Sequence, residues 1–149
     1  MEEKLPEAVL LIAGSGEPEY ERDLKKRAGT RVCFLGAVTD PKTVYAACDL
    51  VVVPSLVEEA FGLIPLEAVA CGALPLVSDR GFLPQIVKSL GKRLIHRAGE
   101  PKDLQEKITG LLSSKNSKDL DELGEACRKK FSDKTGTGAY EKLVRRSRA

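Results

Sequence analysis

The sequence predicts an α/β fold: a doubly wound parallel sheet with additional C-terminal helices. Two observations carry the prediction. Five short apolar runs recur along the chain without the polar alternation of a half-exposed strand, which is how strands covered on both faces read. The segments between them have helical spacing, capping or turn residues at their ends, and lengths suited to crossovers. Strand, helix, strand repeated four times implies parallel pairing with right-handed crossovers.

The strands expected in order are "AVLLIAG" (8–14), "RVCFLGA" (31–37), "DLVVVPS" (49–55), "ALPLVSD" (73–79) and "KRLIHR" (92–97). The helices between them are "PEYERDLKKRA" (18–28), "DPKTVYAACD" (40–49), "FGLIPLEAVACG" (61–72) and "GFLPQIVKSL" (81–90). Three further stretches, at 101–115, 119–133 and 137–149, have apolar residues at helical spacing and read as helices beside or beyond the sheet.

With 149 residues, 42% hydrophobic and 31% charged, the composition is that of one globular domain spanning 1–149 with room for a core. The 24 basic and 22 acidic residues are mixed along the chain and sum to +2, so charge argues for no nucleic-acid partner, and membrane association is not indicated. Only the tail "KLVRRSRA" is locally basic. Cys33, Cys48, Cys71 and Cys127 are dispersed, mostly in apolar segments, and read as reduced core residues of a cytosolic protein. The opening "MEEKLPE" has no apolar heart of a signal peptide, and no run approaches the roughly 20 apolar residues of a membrane span. A cytoplasmic location is the expectation.

In an open parallel sheet, ligands bind beyond the carboxyl ends of the strands. The loops to weigh are therefore 14–19, 36–40, 54–62 and 78–82. "AGSGEPE" suggests a dinucleotide fingerprint, but its third glycine position is Glu19 and the following segment is strongly charged. A tight strand-to-helix turn explains it better. "SDRGFLPQIV" is a weak signal that a plain turn explains equally well, and His96, the single histidine, reads as structural.

"VEEAFGLIPLEAVACG" (57–72) is different, because it places Glu67 inside an apolar run. If the helix begins near Phe61, the neighbours of Glu67 at three and four residues are Leu63, Ile64, Ala70 and Cys71, so Glu67 is expected on the buried face. A carboxylate there needs a charged partner, a proton, or a cavity holding a polar ligand. The first amides of this helix, those of Phe61, Gly62 and Leu63, together with the helix dipole, would attract a phosphate without a metal. Gly62 would leave the backbone open to close approach. Glu67 could accept from hydroxyls of a ligand lying along the helix, and Glu59 could face its reacting end. A phosphate flanked by hydroxylated rings suggests a nucleotide-sugar.

The motif E-x-F-G-x-x-x-x-E, residues 59–67, followed by "AVACGALPLVSDRGFLPQIV", resembles the nucleotide-sugar half of retaining glycosyltransferases of the GT-B architecture, built from two Rossmann-like domains. "LLIAGSGE", "RVCFLGAV" and "AACDLVVVPS" match the same family in the same order, so the resemblance covers about residues 8–88. It implies a donor-binding domain in which Glu67 binds the ribose hydroxyls. Glu59 would lie near the transferred sugar and either stabilise oxocarbenium-like charge or position the sugar. The amides of Phe61, Gly62 and Leu63 would meet sugar hydroxyls and phosphates, and Ala37 and Val38 would border the base. No cofactor or metal is implied, the nucleoside diphosphate sugar being a substrate, and catalysis would rest on orientation and on stabilising the leaving diphosphate.

The resemblance also implies an arginine and a lysine that grip the diphosphate on a first strand-helix unit, and an acceptor-binding domain or partner subunit. Neither is expected within these 149 residues, so the chain alone is expected to transfer no sugar. Phe82 stands where a second glycine is common and would crowd the donor sugar's side of the cleft. The rival readings are a non-catalytic module binding a nucleotide or sugar phosphate, and an unrelated flavodoxin-like domain.

Overall fold

The structure, a computed structural model, describes residues 5–88, 91–113, 125 and 129. It falls into two compact units, Met1–Pro41 and Lys42–Ala149. The expected helices at 119–133 and 137–149 lie almost wholly outside the described residues; of them only Glu125 and Lys129 are described, both helical.

In the first unit, β1 (Leu10–Ala13), α1 (Pro18–Arg27) and β2 (Val32–Gly36) follow the predicted order. The strands pair in parallel from Leu10 opposite Val32, and the register slips between Ile12 and Ala13 so that Ala13 faces Gly36. Proline at its first turn starts α1, with Glu19 and Glu21 near the positive end of the helix dipole and Lys25, Lys26 and Arg27 near the negative end. Those two carboxylates also make this helix start unwelcoming to a pyrophosphate, which counts against the dinucleotide reading. Burial here departs from expectation. Leu10, Cys33 and Leu35 are exposed rather than covered on both faces. A continuous apolar run reports composition, and an apolar side chain can stand at a surface as easily as in a core.

The second unit begins one residue into α2 (Pro41–Ala46) and continues through β3 (Leu50–Val53), α3 (Leu63–Ala70), β4 (Leu74–Ser78), α4 (Leu83–Val87), β5 (Ile95–His96) and α5 (Pro101–Leu112). The strands form a parallel sheet in the order β3-β4-β5. The predicted fifth strand is shorter than "KRLIHR", because Lys92–Leu94 wind into a 3-10 turn after Gly91.

Every residue of the middle strand β4 is buried, as its run of apolar residues requires. Pro75 sits within it opposite Val51, while pairing to β5 starts only at Val77. Proline thus occupies a position with a single ladder neighbour, the circumstance in which a missing N–H is tolerated. The core joins Val53, Leu74, Leu76 and Val77 of the sheet to Val69 of α3, Leu83, Ile86 and Val87 of α4, Leu94, and Leu111 of α5. Leu104 and Ile108 extend the α5 stripe at the spacing of a single helix face. The Arg97 backbone N–H donates to Asp103 Oδ2 at 2.8 Å, tying the end of β5 to the first turn of α5 and holding the Asp103 carboxyl below its usual range.

Gly62 caps the N-terminus of α3 in the left-handed conformation, with φ 71°. It is buried, and a Cβ there would lie 2.7 Å from Leu83 Cδ2 and 2.9 Å from Ile86 Cδ1. The missing side chain serves the packing of α3 against α4, which replaces the expectation that it opens the backbone to a ligand. Since both neighbours are core residues, Gly62→Ala is expected to combine a left-handed penalty of about 1–2 kcal/mol with overpacking of about 1–3 kcal/mol. Urea unfolding should show a midpoint lowered by the equivalent of about 2–5 kcal/mol; an unchanged midpoint would overturn this account of Gly62.

Candidate functional site

The loop after β3, residues 54–62, and the turn after β4, residues 79–82, both lie at the carboxyl end of the second unit's sheet. They are bound together through their backbones. The Phe82 N–H donates to the Glu59 carbonyl at 2.8 Å. Gly81 is left-handed, with φ 55°, and a Cβ there would meet the Glu59 backbone, 2.5 Å from its nitrogen and closer still to its carbonyl oxygen. The Glu59 side chain is set from the other direction, by the Ser55 hydroxyl, which donates to Oε1 at 2.9 Å. Above these contacts the rings of Phe61 and Phe82 stack, centroids 6.4 Å apart and planes 10° from parallel. Both rings remain about half exposed, at 53% and 47%.

The helix α3 starts at Leu63, two residues later than expected, so its leading amides belong to Gly62, Leu63 and Ile64, and Pro65 supplies none. The face carrying Glu67 also differs from expectation. Pro65, Ala68 and Val69 are the buried residues of α3, whereas Leu63 and Ile64 are 41% and 45% exposed and Ala70 is exposed. Glu67 is half-buried on that outer side. In a helix apolar almost all round, periodicity carries no information about which face is inside.

Glu67 Oε2 accepts a 3.1 Å hydrogen bond from the Tyr45 hydroxyl, which reaches it from α2. Burial, followed by the adjacent Glu67 charge and this hydrogen bond, pushes the Tyr45 hydroxyl up from 10.0 to about 12. It therefore stays a donor across the physiological range. Ala37 and Val38 lie directly after β2 in the first unit, Ala37 exposed and Val38 half-buried. Within the second unit the structure gathers Glu59, Phe61, Gly62, Leu63 and Glu67 onto one loop-helix segment. Sequence reasoning missed Ser55 and Tyr45, and read Gly81 only as the glycine of a turn. Ser55 was detectable as a hydroxyl four residues before Glu59, and Tyr45 as the one aromatic hydroxyl in the segment leading to β3. His96 is buried and its Nδ1 lies 3.0 Å from the Arg97 carbonyl, in keeping with a structural role.

Gly81 and Gly99 form a controlled pair, since both have positive φ but nothing lies within 4 Å of a Cβ at Gly99. Gly99→Ala should cost only the left-handed penalty of about 1–2 kcal/mol. Gly81→Ala should cost more and shift the amide resonances of Ser55 and Glu59; unmoved resonances would refute the backbone clamp. Tyr45 gives a pH signature. Its folded value lies above its unfolded one, so the folded state holds the proton longer and stability declines as pH climbs from about 10 to about 12. In urea titrations over that window, Tyr45→Phe should decline less than the unsubstituted protein; equal slopes would contradict the Tyr45 environment.

The model of the family described as glycosyl transferases group 1 matches residues 1–130. The chain is 36% identical over 125 residues to D-inositol 3-phosphate glycosyltransferase of Mycobacteroides abscessus, covering 77% of this chain and 28% of that protein. To sulfoquinovosyl transferase SQD2 of Arabidopsis thaliana it is 33% identical over 133 residues, covering 85% of this chain and 25% of that protein. The fold superposes on Anabaena Alr3699/HepE, solved in complex with UDP, with a TM-score of 0.76 and 25% identity, covering 95% of this chain and 41% of that one. The chain thus spans about a quarter of the curated relatives' length. With parallel sheets, flanking helices and a family match over most of its residues, the chain belongs to the glycosyl transferases group 1 family.

Proposed function

We propose that this chain binds the nucleotide-sugar donor of a retaining, metal-independent glycosyltransferase and works with an acceptor-binding domain or partner subunit. The observation that carries the reading is Glu67: a half-exposed carboxylate one turn into α3, beside the free amides of the helix start, with one oxygen held by Tyr45. In this reading Glu67 accepts the ribose hydroxyls. The amides of Phe61, Gly62 and Leu63 meet the phosphates and sugar hydroxyls, and Ala37 and Val38 border the base.

Transfer breaks the bond between the sugar's anomeric carbon and the diphosphate oxygen. A bond forms from that carbon to an acceptor hydroxyl, the nucleoside diphosphate departs with the electron pair, and the hydroxyl's proton passes to the departing diphosphate. Donors pre-aimed at the departing diphosphate lower the barrier because they need no reorganisation as charge develops. Glu59, oriented by Ser55 and by the turn at Gly81, faces the sugar, where its charge stabilises or positions the reacting ring. The UDP complex of the Anabaena protein supports a nucleoside diphosphate as the ligand class.

Titration of UDP and UDP-glucose followed by amide chemical shifts tests the reading. Changes are expected at Phe61 to Glu67 and at Ala37 and Val38. Glu67→Ala should weaken UDP at least tenfold, the loss of about 1.5–3 kcal/mol in hydrogen bonds to a charged group. Glu59→Gln should leave UDP affinity nearly unchanged while abolishing transfer by the protein joined to its acceptor domain. Changes centred on Gly14 to Gly16 would instead favour the dinucleotide reading, and transfer retained by Glu59→Gln would favour a non-catalytic role for that residue.

A further inference from the structure

We propose that Tyr45 is a positioning residue for ribose recognition, fixing the Glu67 carboxylate so that its other oxygen meets the ribose diol; this rests on the reading of Glu67 given above. Tyr45 and Glu67 come from different elements, α2 and α3, and lie 22 residues apart in sequence. Their contact is therefore set by the fold. A glutamate carboxylate turns freely about its last torsion, and an ordered pose costs entropy that binding must otherwise supply. The Tyr45 hydroxyl meets that cost in advance. It has one proton to donate and Glu67 only accepts, so the direction of the bond is settled.

Among the described residues the bond engages Oε2 alone, which leaves Oε1 able to accept from a ligand. Neither partner belongs to the hydrophobic core, and Tyr45 is only half-buried, so packing does not account for the pairing. The segment leading to β3 thus contributes to nucleoside selection through a residue that need not touch the ligand.

Binding of UDP, ADP and GDP is compared with that of their 2′,3′-dideoxy counterparts by calorimetry on the unsubstituted protein, Tyr45→Phe and Glu67→Ala. For the base the protein prefers, Tyr45→Phe should weaken the ribonucleotide about fivefold, the worth of one modest hydrogen bond, and leave the dideoxy compound unchanged. The selectivity for the diol then shrinks by the same factor. A purely structural Tyr45 would weaken both compounds equally, and that result overturns the inference, as does Tyr45→Phe with its diol selectivity intact. Glu67→Ala distinguishes the two levels. If it abolishes diol selectivity while Tyr45→Phe does not, only the positioning role falls; if it leaves selectivity untouched, or if none of the three nucleotides binds, the ribose reading of Glu67 falls and the inference with it.

Discussion

No side chain fits at residue 81, and the candidate site is organised around that constraint. The left-handed turn after β4 brings its backbone directly against Glu59, and the Phe82 N–H completes the contact. β4 is buried from end to end, so the turn it launches leaves the sheet from a fixed point. The loop after β3 has no regular structure across 54–62, and irregular segments acquire order from what holds them. Here a buried strand supplies it. Ser55 then turns the Glu59 side chain, and the Phe61 and Phe82 stack adds a second tie between the same two segments. The geometry of a polar residue at the ligand edge is thereby inherited from the hydrophobic core.

Phe82 gains a different meaning in this setting. As a departure from the usual second glycine, it suggests crowding on the sugar's side of the cleft. In the structure its ring pairs with Phe61, and offset-stacked aromatic pairs contribute about 0.5–1.5 kcal/mol beyond area burial. A residue that reads as an obstruction along the sequence acts as a brace between the loops carrying Glu59 and Gly81.

Much of the second unit was legible in the sequence because its elements are short, strongly apolar and separated by glycine or proline. β3, β4 and α5 fall inside the predicted runs, and the parallel pairing follows from their alternation with helices. What failed was the inference of burial from apolarity. β1 and β2 read like β4 yet carry exposed Leu10 and Leu35, and α3 is apolar on the side where Glu67 stands half-exposed. Neither error could be avoided from one sequence, since the neighbours that decide burial come from distant segments. The motif residues Glu59 and Glu67 were identifiable by spacing. The contacts they make with Gly81 and Tyr45 were not, because both span about 22 residues and depend on where two loops or helices meet.

The choice of partner for Glu67 is itself informative. A half-buried carboxylate can be satisfied by a cation, and a guanidinium would do so with two parallel hydrogen bonds that occupy both oxygens. Such a pair would be hard to open, because the incoming ligand would have to replace charge-assisted bonds with neutral hydroxyls. A phenol donates once and carries no charge. Among the described residues it engages one carboxylate oxygen and leaves the other to a ligand, and Glu67 is only half-buried. Burial, followed by the adjacent Glu67 charge and the hydrogen bond itself, raises the Tyr45 hydroxyl to about 12, so the proton that holds the carboxylate in place is not lost near neutral pH. A carboxylate ordered through one oxygen by a neutral donor has accepting capacity that this contact does not use, and that capacity is what a ligand rich in hydroxyls can meet.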